Sequence, residues 1–402
     1  MLQAWKEFHP VVKLMLIGSV LLNIGNGMII PYFAIYLGEH TNLSITQIGF
    51  LIGSSSLAAM FGGFLGGTLS DLIGRKKVMM ASLILSAIML IGLTFHPFPS
   101  ILMLVTIGRG FTMSFFEPCS KALIADLTES GKRLRAFSMK YFCGNLGFAI
   151  GPLLGTVLGL QATSTLPFYI SCAVFLLYSL VLHLLFAKYK VTSISAQQEK
   201  VTFRASMKAM GRDKILFLFL LGGLLATTVH GQFSVTLSQY FYVDVKSAIT
   251  FLGVLWSAHA IVIIILSVPI LRLMEKRTSL QSIVIGTSLF CVGIVGFAFS
   301  LSFTSFLLSM IIFTIGEIFL IPAEYAIIDE ITPDHIRGTY FGAVSFTALG
   351  SFIGPGLSGM ILSQFNGLAM FLFLALLSLV SIIFYVWGIR LKEQGKSASL
   401  HD

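Results

Sequence analysis

Apolar residues occur along the chain in twelve long runs, which short polar segments separate. A helix needs about 20 mostly apolar residues to cross the hydrocarbon core of a bilayer, and the runs have roughly this length. The pattern therefore predicts an all-α integral membrane protein. The predicted spans are 11–37, 44–70, 77–95, 99–126, 136–160, 165–187, 214–243, 248–272, 279–300, 303–331, 337–363 and 367–390.

One longer polar segment, residues 188–213, divides the twelve spans into two sets of six. It carries six Lys or Arg residues against two acidic ones. Phe203, Met207 and Met210 are spaced as on one face of a helix, which is typical of a short helix on a membrane surface, and a disordered connector is the alternative. The predicted organisation is a six-helix half at 1–187, a basic cytoplasmic linker at 188–213, and a second six-helix half with a short cytoplasmic tail at 214–402.

The two halves also repeat one another in sequence. Three pairs of matching residues lie 202 or 203 positions apart: Asp126 and Asp329, Arg135 and Arg337, and Pro152 and Pro355. Repeats of this kind predict two parallel six-helix halves around a cavity near the middle of the membrane, which is opened to either side by rocking of the halves.

Composition and charge support a membrane protein and exclude several classes. Of all residues 56% are hydrophobic and 11% are charged, against about 25% charged in soluble domains. With the N-terminus in the cytoplasm, 23 of the 26 Lys and Arg residues, Lys140 among them, fall on the cytoplasmic side. This asymmetry predicts a cytoplasmic membrane protein with both termini inside, and it does not fit a nucleic-acid binder. The four Cys residues have no metal-ligand spacing, so no metal site is predicted.

Five charged residues fall at membrane depth, where an ionised side chain costs about 2.5 to 3.5 kcal/mol, so they are functional candidates. They are Arg109, Glu117, Lys121, Glu317 and Glu324. Glu117 and Lys121 are four residues apart on one helix, so a purely local pair is one interpretation. Arg109 has no acidic neighbour in sequence, so its partner must come from another helix.

Glu317 lies near the middle of the tenth span, with no basic residue within one turn. A carboxylate in hydrocarbon binds a proton more readily than it does in water. Such a side chain can hold a proton or a cationic substrate but gains little from holding both, which is the chemistry of antiport. The alternative is a protonated Glu that bonds to a backbone carbonyl.

Glu324 lies seven residues further on nearly the same helix face, and 203 residues after Lys121. Because related helices of the two halves are expected to meet at the inner gate, we predict a gating salt bridge between Lys121 and Glu324 when the cytoplasmic side is closed.

Polar and aromatic side chains inside the spans are candidates for substrate binding. His230, Gln232 and Ser234 lie on or beside a polar face of the seventh span, where a polar surface indicates water or substrate. Asn26 in the first span, with Tyr141 and Tyr325, completes the predicted set, since aromatic faces attract lipophilic cations.

Three motifs resemble those of one transporter family. The run from Gly67 to Lys77, GTLSDLIGRKK, resembles the signature GxLxDxxGRK of the major facilitator superfamily. Gly147, Gly151, Pro152 and Gly155 resemble the fifth-helix pattern of its drug:proton antiporters, although close packing alone also accounts for these residues. The run from Gly316 to Pro322, GEIFLIP, is similar to the tenth helix of its multidrug exporters.

The resemblance implies roles for several residues. Asp71, with Arg75, is implied to contact the start of the eleventh helix near Arg337 and to hold the inner gate shut. Gly151, Pro152 and Gly155 are implied to act in gating, and Arg109, Asp71 and Asp126 in proton coupling beside Glu317.

These observations predict a proton-coupled antiporter that exports amphipathic or lipophilic, often cationic, small molecules such as drugs. The proton gradient is the expected driving force, with no cofactor, and the expected partners are substrate, protons and the lipid bilayer around a monomer. No catalytic motif indicates an enzyme. A proton-coupled uptake symporter and a lipid flippase are the alternatives that the sequence leaves open.

Overall fold

A computed structural model describes residue 5 and residues 7–41, 45–95, 99–158, 165–189, 203–240 and 248–398. Each predicted span coincides with one helix or with two consecutive helices. In the first half these are α1 (Pro10–His40), α2 (Ile45–Ile73), α3 (Arg75–Gly92), α4 (Pro99–Met113), α5 (Phe116–Asp126), α6 (Arg133–Leu158) and α7 (Leu166–Lys188).

The linker and the second half are also helical where they are described. The helices are α8 (Phe203–Arg212), α9 (Lys214–Tyr240), α10 (Ala248–Met274), α11 (Ser279–Ala298), α12 (Phe303–Ile331), α13 (Arg337–Ala343), α14 (Leu349–Gln364) and α15 (Gly367–Ala398). Helix α8 covers the segment in which the sequence predicted either a surface helix or a disordered connector, so the helical interpretation is confirmed. Residues 190–202 of the linker lie outside the described part of the chain.

Eight helices in the described ranges are long and apolar enough to cross a membrane. Their outer faces carry exposed apolar side chains, as on α7, where Leu177, Leu180 and Leu184 are 62%, 55% and 58% exposed. In water such a stripe is unfavourable, whereas lipid chains solvate it. The surface therefore suits a bilayer.

The fourth span is interrupted at Ser114 and Phe115, between α4 and α5. Pro118 in the first turn of α5 has no backbone N–H to donate to the carbonyl of Ser114 four residues earlier. The interruption allows the helix to restart at Phe116, and α5 then carries Glu117, Lys121 and Asp126.

Helix α6 packs against α1 through a row of glycines. A Cβ atom on Gly147 would lie 2.3 Å from the carbonyl oxygen of Val20, and one on Gly155 would lie 2.2 Å from that of Met28. On Gly151 it would lie 2.9 Å from the Cα of Gly27. The two backbones are thus in contact over two turns, which only glycine permits. The close packing considered for this motif is present, and its role in gating stays a prediction.

The chain forms two compact units. One comprises Met1–Met207 with Thr332–Ser345, and the other comprises Lys208–Ile331 with Phe346–Asp402. The boundary at 207 and 208 falls within the predicted linker. The start of the predicted eleventh span, however, belongs to the first unit, because α13 packs against α2 and α5.

Candidate functional site

The carboxylate of Asp71, at the end of α2, binds the start of α13. Oδ1 accepts a hydrogen bond from the backbone N of Gly338 at 2.9 Å, and Oδ2 accepts from the N and the Oγ1 of Thr339 at 2.6 and 2.8 Å. A negative group is favourable at this position because helix N-termini present unpaired N–H groups. The contact that the family resemblance implied for Asp71 is therefore present.

Two arginines extend this contact into a buried network. Arg75 places Nη1 at 2.9 Å from Oδ1 of Asp71 and Nε at 2.6 Å from Oδ2 of Asp126. Arg337 places Nη1 at 2.8 Å from Oδ1 of Asp126 and Nη2 at 2.5 Å from Oδ1 of Asp334. Gly74, with φ of 97°, makes the turn that brings Arg75 back toward Asp71. This network links α2, α3, α5 and α13.

Arg109 lies about one turn before the end of α4 and donates from Nη2 to Oδ1 of Asn26 on α1, at 2.8 Å. Its partner thus comes from another helix, as predicted, but it is an amide and not an acid. Nε of Arg109 is buried without a hydrogen-bond partner among the described residues. A guanidinium in this state retains a strong unused donor.

Glu117 binds two lysines. Lys121 lies one turn further on α5, with Nζ at 3.5 Å from Oε1, so the local pair considered in the sequence is present. Lys140 of α6 lies closer, with Nζ at 3.0 Å from Oε2, and it also donates to Oγ of Ser19 at 3.2 Å. The side chain of Lys140 is 5% exposed, whereas that of Glu117 is 50% exposed.

The sequence analysis counted Lys140 with the cytoplasmic positive charges, and it did not anticipate that this side chain is buried between helices. Helix α6 begins at Arg133 and places Lys140 two turns from its start. The sequence signal for this burial was that Lys140 falls within the fifth predicted span, 136–160.

Glu317 is the centre of the site in the second unit. Its side chain is 4% exposed, and Oε1 lies 3.1 Å from Nε2 of His230 on α9. Oε2 lies 3.6 Å from Nε2 of His259 on α10. The side chain of His230 is 39% exposed, so one of these two imidazoles reaches the surface of the unit. The sequence identified Glu317 and His230 separately, and the structure brings them together.

Two aromatic rings lie next to His230, the imidazole that contacts Glu317. The rings of Phe290 and Phe313 stack with centroids 4.3 Å apart. The imidazole of His230 is parallel to both rings, at 6.3 and 6.4 Å between centroids. The imidazole of His230 thus neighbours both the carboxylate of Glu317 and the two aromatic rings.

Glu324 accepts a hydrogen bond from the hydroxyl of Tyr385 on α15. Tyr385 is 1% exposed and was not identified in the sequence, because nothing distinguishes it from the other Tyr residues of the chain. The predicted bridge between Lys121 and Glu324 stays a prediction: the partners described above are Glu117 for Lys121 and Tyr385 for Glu324.

The remaining substrate candidates are placed as follows. Tyr141 follows Lys140 on α6, Tyr325 follows Glu324 on α12, and both are half-buried. Helix α9 includes Gln232 and Ser234, whose side chains lie outside the described part of the structure. No sequence signal showed that α10 and α12 place His259 against Glu317.

The described residues contain no group of three or more His, Cys, Asp or Glu side chains that could hold a metal ion.

Comparisons with known proteins agree with these features. The sequence profile of the Major Facilitator Superfamily matches residues 15–348 and 233–401. YqjV of Bacillus subtilis, an uncharacterized MFS-type transporter, is 31% identical over 367 residues, which cover 91% of this chain and 89% of YqjV. The Na(+), Li(+), K(+)/H(+) antiporter of Planococcus maritimus is 24% identical over 429 residues, covering 98% and 99%. The quinolone resistance protein NorA of Staphylococcus aureus is 26% identical over 349 residues, covering 84% and 86%.

Among solved structures, the proton:xylose symporter XylE has a TM-score of 0.76 at 15% identity, over 93% of this chain and 94% of XylE. At this identity the likeness concerns the fold, and it confirms the predicted all-helical membrane architecture. With a profile match over nearly its whole length and the relatives above, the chain belongs to the Major Facilitator Superfamily and is a multi-pass membrane transporter, not an enzyme.

Proposed function

We propose that this transporter is a proton-coupled antiporter that exports amphipathic or lipophilic, often cationic, small molecules. The observation that carries the proposal is the buried carboxylate of Glu317, one oxygen of which lies 3.1 Å from the partly exposed imidazole of His230. A buried acid of this kind needs a positive partner, and a proton or an organic cation supplies one.

In this mechanism the proton and the cation compete for Glu317. A cation approaches along His230, whose partly exposed imidazole leads to the carboxylate of Glu317. The positive charge of the cation then replaces the proton on Glu317, and the proton is released to water. Gln232, Ser234, Asn26, Tyr141 and Tyr325 are the further substrate contacts that we propose. No cofactor is required, because the proton gradient supplies the energy.

The network of Asp71, Arg75, Asp126 and Arg337 is the inner gate in this proposal. Its carboxylates are bound by guanidinium and backbone donors when the gate is shut, and these contacts break when it opens. Lys121 and Glu324 are proposed to join the gate. Gly151, Pro152 and Gly155 couple α6 to α1 during the movement, and Arg109 senses the proton state through Asn26.

Two relatives support the direction and the coupling. One is named as an ion/H(+) antiporter, and another as a quinolone resistance protein. Both names describe those proteins, and they favour antiport and export for this chain over uptake.

The test is reconstitution into vesicles with an acidic lumen and a fluorescent lipophilic cation outside. Wild-type protein is expected to concentrate the cation in the lumen, and Glu317→Gln is expected to lower the rate at least tenfold. Glu330→Gln is the matched control, because Glu330 is half exposed and pairs with Ser279 and Lys392 away from the site.

Three outcomes would contradict the proposal. Accumulation only when the outside is acidic would indicate a symporter. Movement of a fluorescent phospholipid that is indifferent to the pH gradient would indicate a flippase. Equal rates for wild type and Glu317→Gln would remove Glu317 from the mechanism.

A further inference from the structure

His259 is held between two groups of α12. Its Nδ1 lies 3.0 Å from Oγ1 of Thr314, and its Nε2 lies 3.6 Å from Oε2 of Glu317. Thr314 is 0% exposed, and it precedes Glu317 by about one turn of the same helix. The orientation of the ring is therefore set from within the protein.

The hydroxyl of Thr314 has one hydrogen, and this hydrogen is donated to the backbone carbonyl of Met310 at 2.8 Å. The oxygen of Thr314 is then left to act as an acceptor toward His259. It follows that Nδ1 of His259 carries a hydrogen and donates it to Thr314.

This assignment fixes the other side of the ring. A neutral imidazole carries a single hydrogen, so Nε2 of His259 presents a lone pair toward the carboxylate of Glu317. Two acceptors then face one another in a site where their side chains are 13% and 4% exposed. Two buried acceptors without a hydrogen between them are unfavourable, whereas one proton turns the pair into a charge-assisted hydrogen bond.

We infer that Glu317 and His259 hold the transported proton jointly, between Oε2 and Nε2, and that Thr314 is the positioning residue that makes His259 a proton acceptor. The inference rests on the proposed function, because it refines which atoms carry the proton of antiport. On loading, a proton from water bonds to Oε2 or Nε2 and is shared with the other atom. On release it returns to water, and no other bond changes.

His230 has a different role in this arrangement. Its Nε2 lies at hydrogen-bond distance from Oε1 of Glu317 and its side chain is partly exposed, so it connects the carboxylate to the surface of the unit. The titratable groups that face Glu317 are thus His230 from α9 and His259 from α10, and Glu324 lies two turns away on α12. Helix α11, which also packs on α12, contains Cys291 but no acidic or basic residue.

The decisive measurement is the nitrogen-15 NMR spectrum of histidine-labelled protein in lipid nanodiscs, at a pH where His259 is neutral. The signals of His259 are identified by their loss in His259→Asn. We expect a protonated Nδ1 and an unprotonated Nε2 in the wild type. In Thr314→Val, which keeps the shape of the side chain without an acceptor, we expect the hydrogen to move to Nε2.

Transport provides the functional test. In Thr314→Val the neutral ring donates from Nε2 to the carboxylate, which stabilises the unloaded state. The pH for half-maximal exchange should therefore fall by about one unit, a tenfold loss of proton affinity. Thr314→Ser keeps the hydroxyl and should retain the wild-type pH profile and tautomer.

A wild-type His259 with its hydrogen on Nε2 would overturn the inference, whatever the variants do. So would a Thr314→Val protein that folds and keeps the wild-type pH profile. Failure of the proposed function is separate: wild-type vesicles would then show no gradient-driven exchange, while the NMR spectrum would still report the tautomer.

Discussion

Arg337 and Asp126 are joined by an ion pair of 2.8 Å, although 211 residues separate them in the chain. Both side chains are nearly buried, at 8% and 4% exposure. Removing one partner of such a pair reduces the compensation of the other charge, and without Arg337 the carboxylate of Asp126 would depend on Arg75. This contact is therefore a sensitive point of the proposed inner gate.

Arg337→Ala should lower the free energy of unfolding by about 1.5 to 3 kcal/mol, the usual range for a hydrogen bond to a charged group, because Asp126 keeps its ion pair with Arg75. Thermal unfolding in detergent, monitored by tryptophan fluorescence, measures the change. Arg277→Ala is the control, because that exposed guanidinium, just after the end of α10, donates only to the backbone carbonyl of nearby Leu273 among the contacts described. An equal loss in both variants would argue against a special role for the pair.

Gly338→Ala should disturb the contact between α13 and α2. Its Cβ would lie 2.2 Å from Oγ of Ser70 and 2.8 Å from Oδ1 of Asp71, so the hydrogen bonds to Asp71 cannot form at their present lengths. We expect transport to fall at least tenfold in the vesicle assay. Gly356→Ala, where nothing lies within 4 Å of the new atom, should transport normally. Normal transport by both variants would contradict the proposed gate.

Glu117→Gln should destabilise the protein more than Lys140→Met does. Without Glu117, the 5% exposed Lys140 loses its ion pair, and we expect a cost of about 3 kcal/mol. Without Lys140, the half-exposed Glu117 still contacts Lys121, and the cost should stay below about 1 kcal/mol. The double variant should recover most of the loss. Melting curves of the four proteins form the test, and the reverse order of the two single variants would refute the argument.

Tyr385→Phe and Tyr178→Phe make the same chemical change in two different environments. Tyr385 donates to Glu324, so its loss should cost about 1.5 to 3 kcal/mol, the usual range for a hydrogen bond to a charged group. The hydroxyl of Tyr178 is buried with no hydrogen-bond partner among the described residues, so its removal should be neutral or stabilising. Chemical denaturation of both variants in detergent compares them directly, and equal losses would contradict the assignment.

Gly155→Ala should separate α6 from α1, because its Cβ would lie 2.2 Å from the carbonyl oxygen of Met28. Overpacking of this kind usually costs about 1 to 3 kcal/mol. Gly144→Ala on the same helix is the control, since its nearest neighbour, Nδ2 of Asn23, is 3.7 Å away. The melting temperatures of the two variants, measured side by side, should differ by several degrees, and equal values would show that the glycine row tolerates side chains.

The helices were predictable because each apolar run is long enough to cross the lipid. A segment in lipid must satisfy all its backbone hydrogen bonds internally, and a helix does so. The contact of Asp71 with the start of α13 was predictable from a specific motif. Pairings between helices that carry no motif were not, as His259 with Glu317 shows. The two residues are 58 positions apart, and only the packing of α10 on α12 joins them.

Lys140 illustrates a different limit. A basic residue near the end of an apolar run fits either the membrane surface or the interior, since a Lys side chain is long enough to reach from one to the other. Its burial depends on Glu117 and Ser19, which lie on α5 and α1. The charge pattern of a single span does not contain that information.

The glycines that pack α6 against α1 also fix the position of the acceptor that Arg109 binds. Gly27 touches Gly151, and the adjacent residue in the chain, Asn26, supplies the amide oxygen that Arg109 binds. A bulkier residue at 151 would push the first helix outward and draw that oxygen away. The substitution would then leave the guanidinium of Arg109, in the fourth span, without its hydrogen bond to Asn26. The contacts of position 151 alone would not reveal this effect.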